Sequence, residues 1–320
     1  MTTETAPLRA STPRAVAESL DDLVGNTPLF RLRPRGMSPR IRLLAKLEMF
    51  NPLASVKDRA ALYMLRRAEA EGLVPATGGT VIECSSGSTG ISLAALCAAR
   101  GHRCVIVMPD NATEERGLLL RSLGAEVVLF PHEEGLPAAW QYAEQLQRDT
   151  PGSWLPHQDQ NPANVRAHEE TTGPEIWDAT GGDIDVLVCG VGTGGTLTGL
   201  ARHLKERRPG LHVVAVEPAR SAVLSGGEPG PHGIPGIGAG YVSDITDVHL
   251  IDEVVAVTDA AAAETAREIT AATGLPVGVS SGAAVHACRL VAEKRPADGP
   301  ATIVTVLPDT GERYLSLSRD

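Results

Sequence analysis

Residues 186–199 read VLVCGVGTGGTLTG: an apolar run breaks into glycines and threonines and then returns to helix-forming residues. A glycine-rich turn between a strand and a helix presents free backbone N–H groups at the positive end of the helix dipole, so it binds anions, phosphate above all. Gly190, Gly192 and Gly195 satisfy the GxGxxG spacing, and Glu217 ends the next apolar run, as a dinucleotide-binding unit asks. Alone, the stretch fits three things. One is a nicotinamide-dependent dehydrogenase, the second a phosphate-monoester site in which Thr193 and Thr196 add hydroxyl donors, and the third a structural turn.

Working outward, strand-length apolar runs alternate with helix-period stretches from about residue 57 to the end. The runs are TVIEC (80–84), CVIVMP (104–109), EVVLF (126–130), VLVCGV (186–191), HVVAVEP (212–218) and TIVTVLPD (302–309). Between them lie EERGLLLRSLG, AAWQYAEQLQ and AAVHACRLVAEK, with apolar residues at helical spacing. Such alternation predicts an α/β fold with mainly parallel sheets, and continuously apolar strands predict sheets covered on both faces. The least regular stretch, GGEPGPHGIPGIGAGYV (226–242), is long for a loop in a compact α/β protein and marks a functional segment. The turn-rich PHQDQNPAN (156–164) marks a domain boundary.

Two further strand-to-helix turns carry small hydroxyls, CSSGSTG (84–90) and VGVSSG (277–282). In FNPLASVKDRAALYML (50–65), Lys57 opens an amphipathic helix, where the dipole disfavours its charge. An isolated lysine there reads as a surface residue paired to Asp58. A functional one has its amine pKa lowered by the helix end and by burial, as an imine-forming nucleophile needs. Three anion-binding turns and one such lysine can enclose a small anionic cofactor together with an anionic substrate, whereas a dehydrogenase would use only one of the turns.

The motifs NPLASVKDR, SSGSTG, NPANVRAHEETTGPEIW, GTGGT, GIGAG, SSGAA and PDTGERYLS follow one another along the chain. In this order they resemble the cysteine synthase/cystathionine β-synthase family of pyridoxal-phosphate enzymes, of the tryptophan-synthase-β-like fold type II. The resemblance runs from LDDLVGNTPLFRL (20–32) to VLPDTGERYLS (306–316) and displaces the dehydrogenase reading. It implies two three-layer α/β domains with pyridoxal 5′-phosphate in the cleft between them. After a disordered tail over 1–14, the smaller mobile domain spans 50–160, and the larger is made of 15–49 with 161–320. Lys57 matches the lysine that holds the cofactor and moves the substrate α-proton, and Gly192, Thr193, Gly194, Gly195 and Thr196 match the phosphate cradle. Ser280 matches the serine on the pyridine nitrogen. Ser85, Ser86, Gly87 and Thr89, with Gln158, match the clamp on the substrate carboxylate. Gly236, Gly238 and Ala239 fall in the mobile loop near the substrate amino group.

The implied activity is β-replacement on O-acetyl- or O-phospho-L-serine through an aminoacrylate, a lyase/transferase reaction with sulfide as the small nucleophile, hence cysteine biosynthesis. Two departures open an alternative. Ser88 stands where the family usually has asparagine beside the cofactor's 3′-oxygen, and Asp159 stands where an aromatic residue is common. A different second substrate follows from these: a 2,3-diaminopropionate- or β-cyanoalanine-type synthase, or a cysteine desulfhydrase. A catalytically silent binding protein of the same fold is disfavoured by the intact Lys57, Ser280 and GTGGT. The resemblance also implies a homodimer and a serine acetyltransferase partner. Because the sequence stops soon after Tyr314, no haem-binding or regulatory module is expected to flank the core.

Composition sets outer bounds. A net charge of −10 argues against nucleic-acid or anionic-membrane binding. The first twenty residues lack the apolar region of a signal peptide, and no apolar run reaches membrane-spanning length. Cys84, Cys97, Cys104, Cys189 and Cys288 make neither a CxxC pair nor a metal-ligand spacing, which points to reduced, buried thiols in the cytoplasm.

Overall fold

A computed structural model describes residues 16–85, 87–112, 114–294 and 300–318. Ser86 and the tail over 1–14 lie outside the described residues. The strands in chain order are β1 Leu29–Leu32, β2 Ile41–Leu47, β3 Thr80–Cys84, β4 Arg103–Pro109 and β5 Glu126–Phe130. They continue with β6 Ser153–Trp154, β7 Val186–Gly190, β8 His212–Pro218, β9 Glu253–Val257 and β10 Ala301–Leu307.

They form two sheets. The larger has the order β1-β2-β10-β7-β8-β9 and the smaller β5-β4-β3-β6. Only β1, at an edge, runs antiparallel, with Leu29 opposite Lys46. At the centre β10 lies between β2 and β7, with Ile303 beside both Leu43 and Val186. Every residue of β10 is buried. That burial explains its unbroken apolar run, because a strand covered on both faces has no solvent side on which to alternate. Separate apolar clusters pack on the two faces of each sheet, for instance Leu43, Val214 and Val285 against Leu187, Leu197 and Leu204 on the larger. On the smaller, Leu65, Ile106 and Trp154 face one way, and Ile82, Val107 and Leu155 the other. The chain is thus a pair of three-layer α/β units.

Parallel strands of one sheet deliver their loops to one edge, so the turns after β7 and β10 lie together, and the turn after β3 of the other sheet lines the same cleft. The helices predicted from 114, 138 and 283 appear as Glu114–Ser122, Gly135–Arg148 and Val279–Lys294. Residues 219–247 form neither helix nor strand. Among the described residues no helix is long and apolar enough to cross a membrane.

A buried ion network ties the larger sheet to the helix that begins at Lys57. Arg59, on helix Lys57–Ala70, donates from Nε to Glu48 at 2.7 Å, and from Nη1 and Nη2 to Glu175, both at 2.7 Å. Lys46 of β2 adds a 2.6 Å contact to Glu175. Arg59 and Glu48 are shielded from water, so each charge depends on the others.

Candidate active site

Lys57 is placed by backbone, not by its own side chain. Ser55 and Asp309 form an antiparallel bridge, and the Val56 N–H donates to the Pro308 carbonyl at 2.8 Å, so the loop before the helix is pinned to the end of β10. Ala54 takes a left-handed φ of 55°, a strained conformation for a non-glycine residue, and it turns the chain toward Lys57. The Lys57–Asp58 surface pair considered from sequence does not form. Asp58 instead accepts from the Leu53 N–H at 2.7 Å and the Ser92 hydroxyl at 2.5 Å, while burial pushes its pKa up to about 6. Burial holds the Lys57 amine below its ordinary pKa, and the nearby Asp309 carboxylate partly opposes that.

Across the cleft, the turn after β7 leads into helix Gly195–Arg207. Its glycines are required by close packing. A Cβ on Gly194, whose φ is +76°, would lie 1.9 Å from Thr246 Oγ1, and one on Gly195 would lie 2.2 Å from Asn164 Oδ1. Asn164 donates to Thr193 Oγ1 at 3.1 Å and to the Gln158 carbonyl at 2.7 Å. Thr196 shares a 3.2 Å hydrogen bond with His168, whose burial drives its pKa down to about 3 and keeps the ring neutral. The turn is thus held in place at the start of a helix that borders the cleft, where a phosphate could be held.

The turn after β3 is the third wall. Ser85 Oγ accepts from the Gly87 and Gly90 N–H groups, both at 3.2 Å, and so closes the loop on itself. Thr89 donates to Gln158 Oε1 at 2.6 Å. That bond leaves the Gln158 NH2 group available to a carboxylate. His157, just before it, is another left-handed residue at φ 49°. The Ser88 hydroxyl is engaged by the Arg313 guanidinium, which also donates to the Leu53 carbonyl. Behind this wall the Glu83 carboxyl is pushed up to about 8 by burial, and its Oε2 has no partner among the described residues.

These pieces line one cleft of about 880 Å³. Of the residues singled out from sequence, it brings together Lys57, Ser85, Gly87, Ser88, Thr89, Gln158, Gly192, Thr193, Gly194, Thr196, Gly236, Ala239 and Ser280. Gly195 sits under the cradle. Gly238 turns away, its N–H donating to Val191 at 2.9 Å. Position 159 resolves differently from the open question its charge raised. Asp159 is half-buried behind Tyr241, whose hydroxyl donates to it at 3.2 Å, and Tyr241 meets Trp140 edge-on at 5.5 Å between ring centres. Sequence reading did not single out Asn164, His168, Tyr241, Asp309 or Arg313. Their signal lay inside motifs already quoted, GYV and PDTGERYLS among them, but not in the letters usually read as functional.

Glu217, which completed the dinucleotide spacing, is buried and accepts from the Leu224 N–H at 2.8 Å and the Ser225 N–H at 3.1 Å. It folds a loop and faces no ribose site. All five cysteines are free and buried. Asp110, His132 and Glu133 gather at the surface, all exposed, and the 2.8 Å bond between Asp110 and His132 accounts for the pair at its centre. One cleft thus holds the Gly192–Thr196 turn, the Lys57 amine and the Ser280 hydroxyl, a donor set that could hold a phosphate-bearing cofactor with a carbonyl group.

Residues 20–309 match the family described as pyridoxal-phosphate dependent enzyme. A cysteine synthase from Staphylococcus aureus is 42% identical over 300 residues, which cover 93% of this chain and 96% of that one. An O-ureido-L-serine synthase structure is similar with a TM-score of 0.91 at 40% identity, covering 96% of this chain and 97% of that chain. A cysteine synthase from Entamoeba histolytica gives 0.92 at 38% identity, covering 98% and 94%.

Proposed function

We propose that this chain, which belongs to the family of pyridoxal-phosphate-dependent enzymes, makes L-cysteine by β-replacement on O-acetyl- or O-phospho-L-serine with sulfide as the nucleophile. The observation that carries the reading is a single cleft in which a desolvated lysine faces both a phosphate seat and a separate carboxylate-binding turn. Bound there, pyridoxal phosphate supplies the sink for the electron pair released when the substrate Cα–H bond breaks. The chain's own residues do the rest. Lys57 holds the cofactor and then moves the α-proton on Nζ. Ser85, Ser86, Gly87, Thr89 and Gln158 clamp the α-carboxylate, which fixes the Cα–H bond relative to Lys57. Gly192–Thr196 anchor the phosphate, and Ser280, a neutral partner at the ring nitrogen, does not enforce ring protonation. Segment 236–240 closes the entrance and keeps water from the reacting carbon.

The test is product analysis. The yellow protein should release acetate from O-acetyl-L-serine and, with sulfide added, yield L-cysteine by mass. A protein that takes up the cofactor yet releases neither acetate nor phosphate from the two activated serines overturns the reading.

A second reading, a synthase using an amine-bearing nucleophile, draws on the Asp159–Tyr241 pair. A carboxylate held behind the cleft wall disfavours hydrosulfide and favours a cation. Replacing Asp159 with phenylalanine should then shift the sulfide-to-amine ratio of kcat/KM toward sulfide by on the order of tenfold, about 1.4 kcal/mol. An unchanged ratio removes this reading and leaves sulfide. Family resemblance and the buried thiols support a cytoplasmic homodimer, with a small interdomain closure of 50–160 and a serine acetyltransferase as protein partner.

A further inference from the structure

We propose that Asn164 is the positioning residue that couples the two anion-binding sets of the cleft, the turn for a phosphate and the clamp for a carboxylate, so that they keep one spacing. The inference rests on the reading of Gly192–Thr196 as a phosphate seat and of Gln158 and Thr89 as part of a carboxylate clamp. Those two sets belong to different units. Thr193 follows β7 of the larger sheet, whereas Thr89 lies on helix Ser88–Arg100, which follows β3 of the smaller one. Asn164, on helix Pro162–Ala167, belongs to the turn-rich stretch that the sequence marks as a boundary.

The Asn164 residue is buried. Its Nδ2 donates to the Gln158 carbonyl at 2.7 Å and to Thr193 Oγ1 at 3.1 Å, one hydrogen to each side. The path continues from Gln158, whose Oε1 accepts the Thr89 hydroxyl at 2.6 Å. Thr193, Asn164, Gln158 and Thr89 therefore form one hydrogen-bonded chain from the phosphate seat to the carboxylate clamp. The amide is also in close contact with the phosphate turn itself. A Cβ on Gly195 would stand 2.2 Å from its Oδ1 and 2.9 Å from its Nδ2. On the other side, the Asn164 N–H donates to the Asn161 carbonyl at 3.0 Å, and Asn161 Nδ2 donates to the Pro156 carbonyl at 3.0 Å. The His157 carbonyl accepts from the Gln160 and Asn161 N–H groups, both at 2.9 Å, which closes the turn that carries Gln158.

The chemistry needs a fixed spacing. When cofactor and substrate occupy the cleft together, one is anchored at the phosphate seat and the other at the carboxylate clamp. The substrate Cα–H bond is presented to Lys57 only while those anchors keep their relative position. Displacing either set leaves a buried donor of Asn164 unpaired, which is costly. A shift at one end is thus felt at the other. By linkage, each ligand then strengthens the binding of its companion by the same factor.

The experiment uses the cofactor-loaded enzyme, with L-serine, which lacks a good leaving group, as the probe. L-serine binding is read from the visible absorbance, and cofactor affinity from the fraction retained on dialysis against a fixed concentration of pyridoxal phosphate. Asn164→Ala should weaken each by about tenfold, although Asn164 is not among the residues that line the cleft. Two double-mutant cycles then show whether it acts through the path. Combined with Gln158→Ala, the loss of L-serine affinity should be no greater than for Gln158→Ala alone. Combined with Thr193→Val, the loss of cofactor affinity should be no greater than for Thr193→Val alone. An asparagine that only supports the fold lowers the urea midpoint and leaves both cycles additive. Unchanged affinities, or losses that add in either cycle, overturn the proposal. Should the alanine variant not fold, Asn164→Leu, which fills similar space without a donor, is read in the same cycles. A Gln158→Ala protein that binds L-serine as tightly as the wild type removes the carboxylate clamp and the proposal with it. If instead the wild type releases no acetate, the β-replacement reading falls, and the two cycles still decide the role of Asn164.

Discussion

Lys57→Ala is expected to lose the covalently held cofactor and to slow acetate release from O-acetyl-L-serine by about a thousandfold or more. On the proposed reading two functions leave with one side chain: the amine that holds the cofactor carbonyl and the base that takes the α-proton. The phosphate seat stays, because Gly192–Thr196 are fixed by Asn164, His168 and Thr246 and not by Lys57. The variant should therefore still take up pyridoxal phosphate reversibly, and the colour should pass through a filter after denaturation, whereas the wild-type linkage, once reduced with borohydride, stays on the chain. Mass analysis after that reduction is the sharpest check. A Lys57→Ala protein that retains the adduct, or that releases acetate at the wild-type rate, removes Lys57 from the mechanism.

Arg59→Met should destabilise the fold by about 3–5 kcal/mol, the cost of taking one partner from a buried pair. The methionine fills similar space but leaves Glu48, 0% exposed at its side chain, without a cation, and leaves Glu175 to Lys46 alone. The effect has a pH signature. Burial works to raise the Glu175 pKa, yet the hydrogen bonds and charges of Arg59 and Lys46 overcome it and hold the carboxyl at about 2, below its ordinary 4.5. A depressed folded-state pKa gives stability that is full above about 4.5 and is lost as pH falls toward 2. The stability gap between wild type and variant in urea should accordingly be widest near neutrality and narrow in acid. A gap below about 1 kcal/mol at neutral pH would mean the network is replaceable by packing.

The network also shows where sequence reading stops. The central strands were legible because burial on both faces leaves an apolar run with no alternation, as in VLVCG and TIVTVL. β2, reading IRLLAKL, was not, since Lys46 breaks its run. That lysine is tolerated inside a sheet because Glu175, far away in sequence, meets it and the Thr27 carbonyl accepts from its Nζ. β6 is two residues long and β1 four, too short for any period to register. In the site, glycines and hydroxyls at helix starts could be read as anion turns from local chemistry alone. The segment at 309–310 could not, because its place comes from the bridges Ser55–Asp309 and Val277–Thr310, and a pairing between distant segments leaves no local trace. The Ser88 hydroxyl was open to several partners until the fold brought Arg313 to it.

The separation of the two sheets has an evolutionary corollary. The loops that precede Lys57 and Ser280 are both bridged to the end of β10, on the larger sheet, while the turn over 84–90 follows β3 on the smaller one. Tyr241 and Trp140 meet at the rim where the two units face each other. Mutations that reshape the rim do not pass through the backbone bridges that register the lysine. On the proposed reading, a lineage built on this scaffold can exchange one incoming nucleophile for another, one rim residue at a time, while the bridges that register the lysine loop are inherited unchanged.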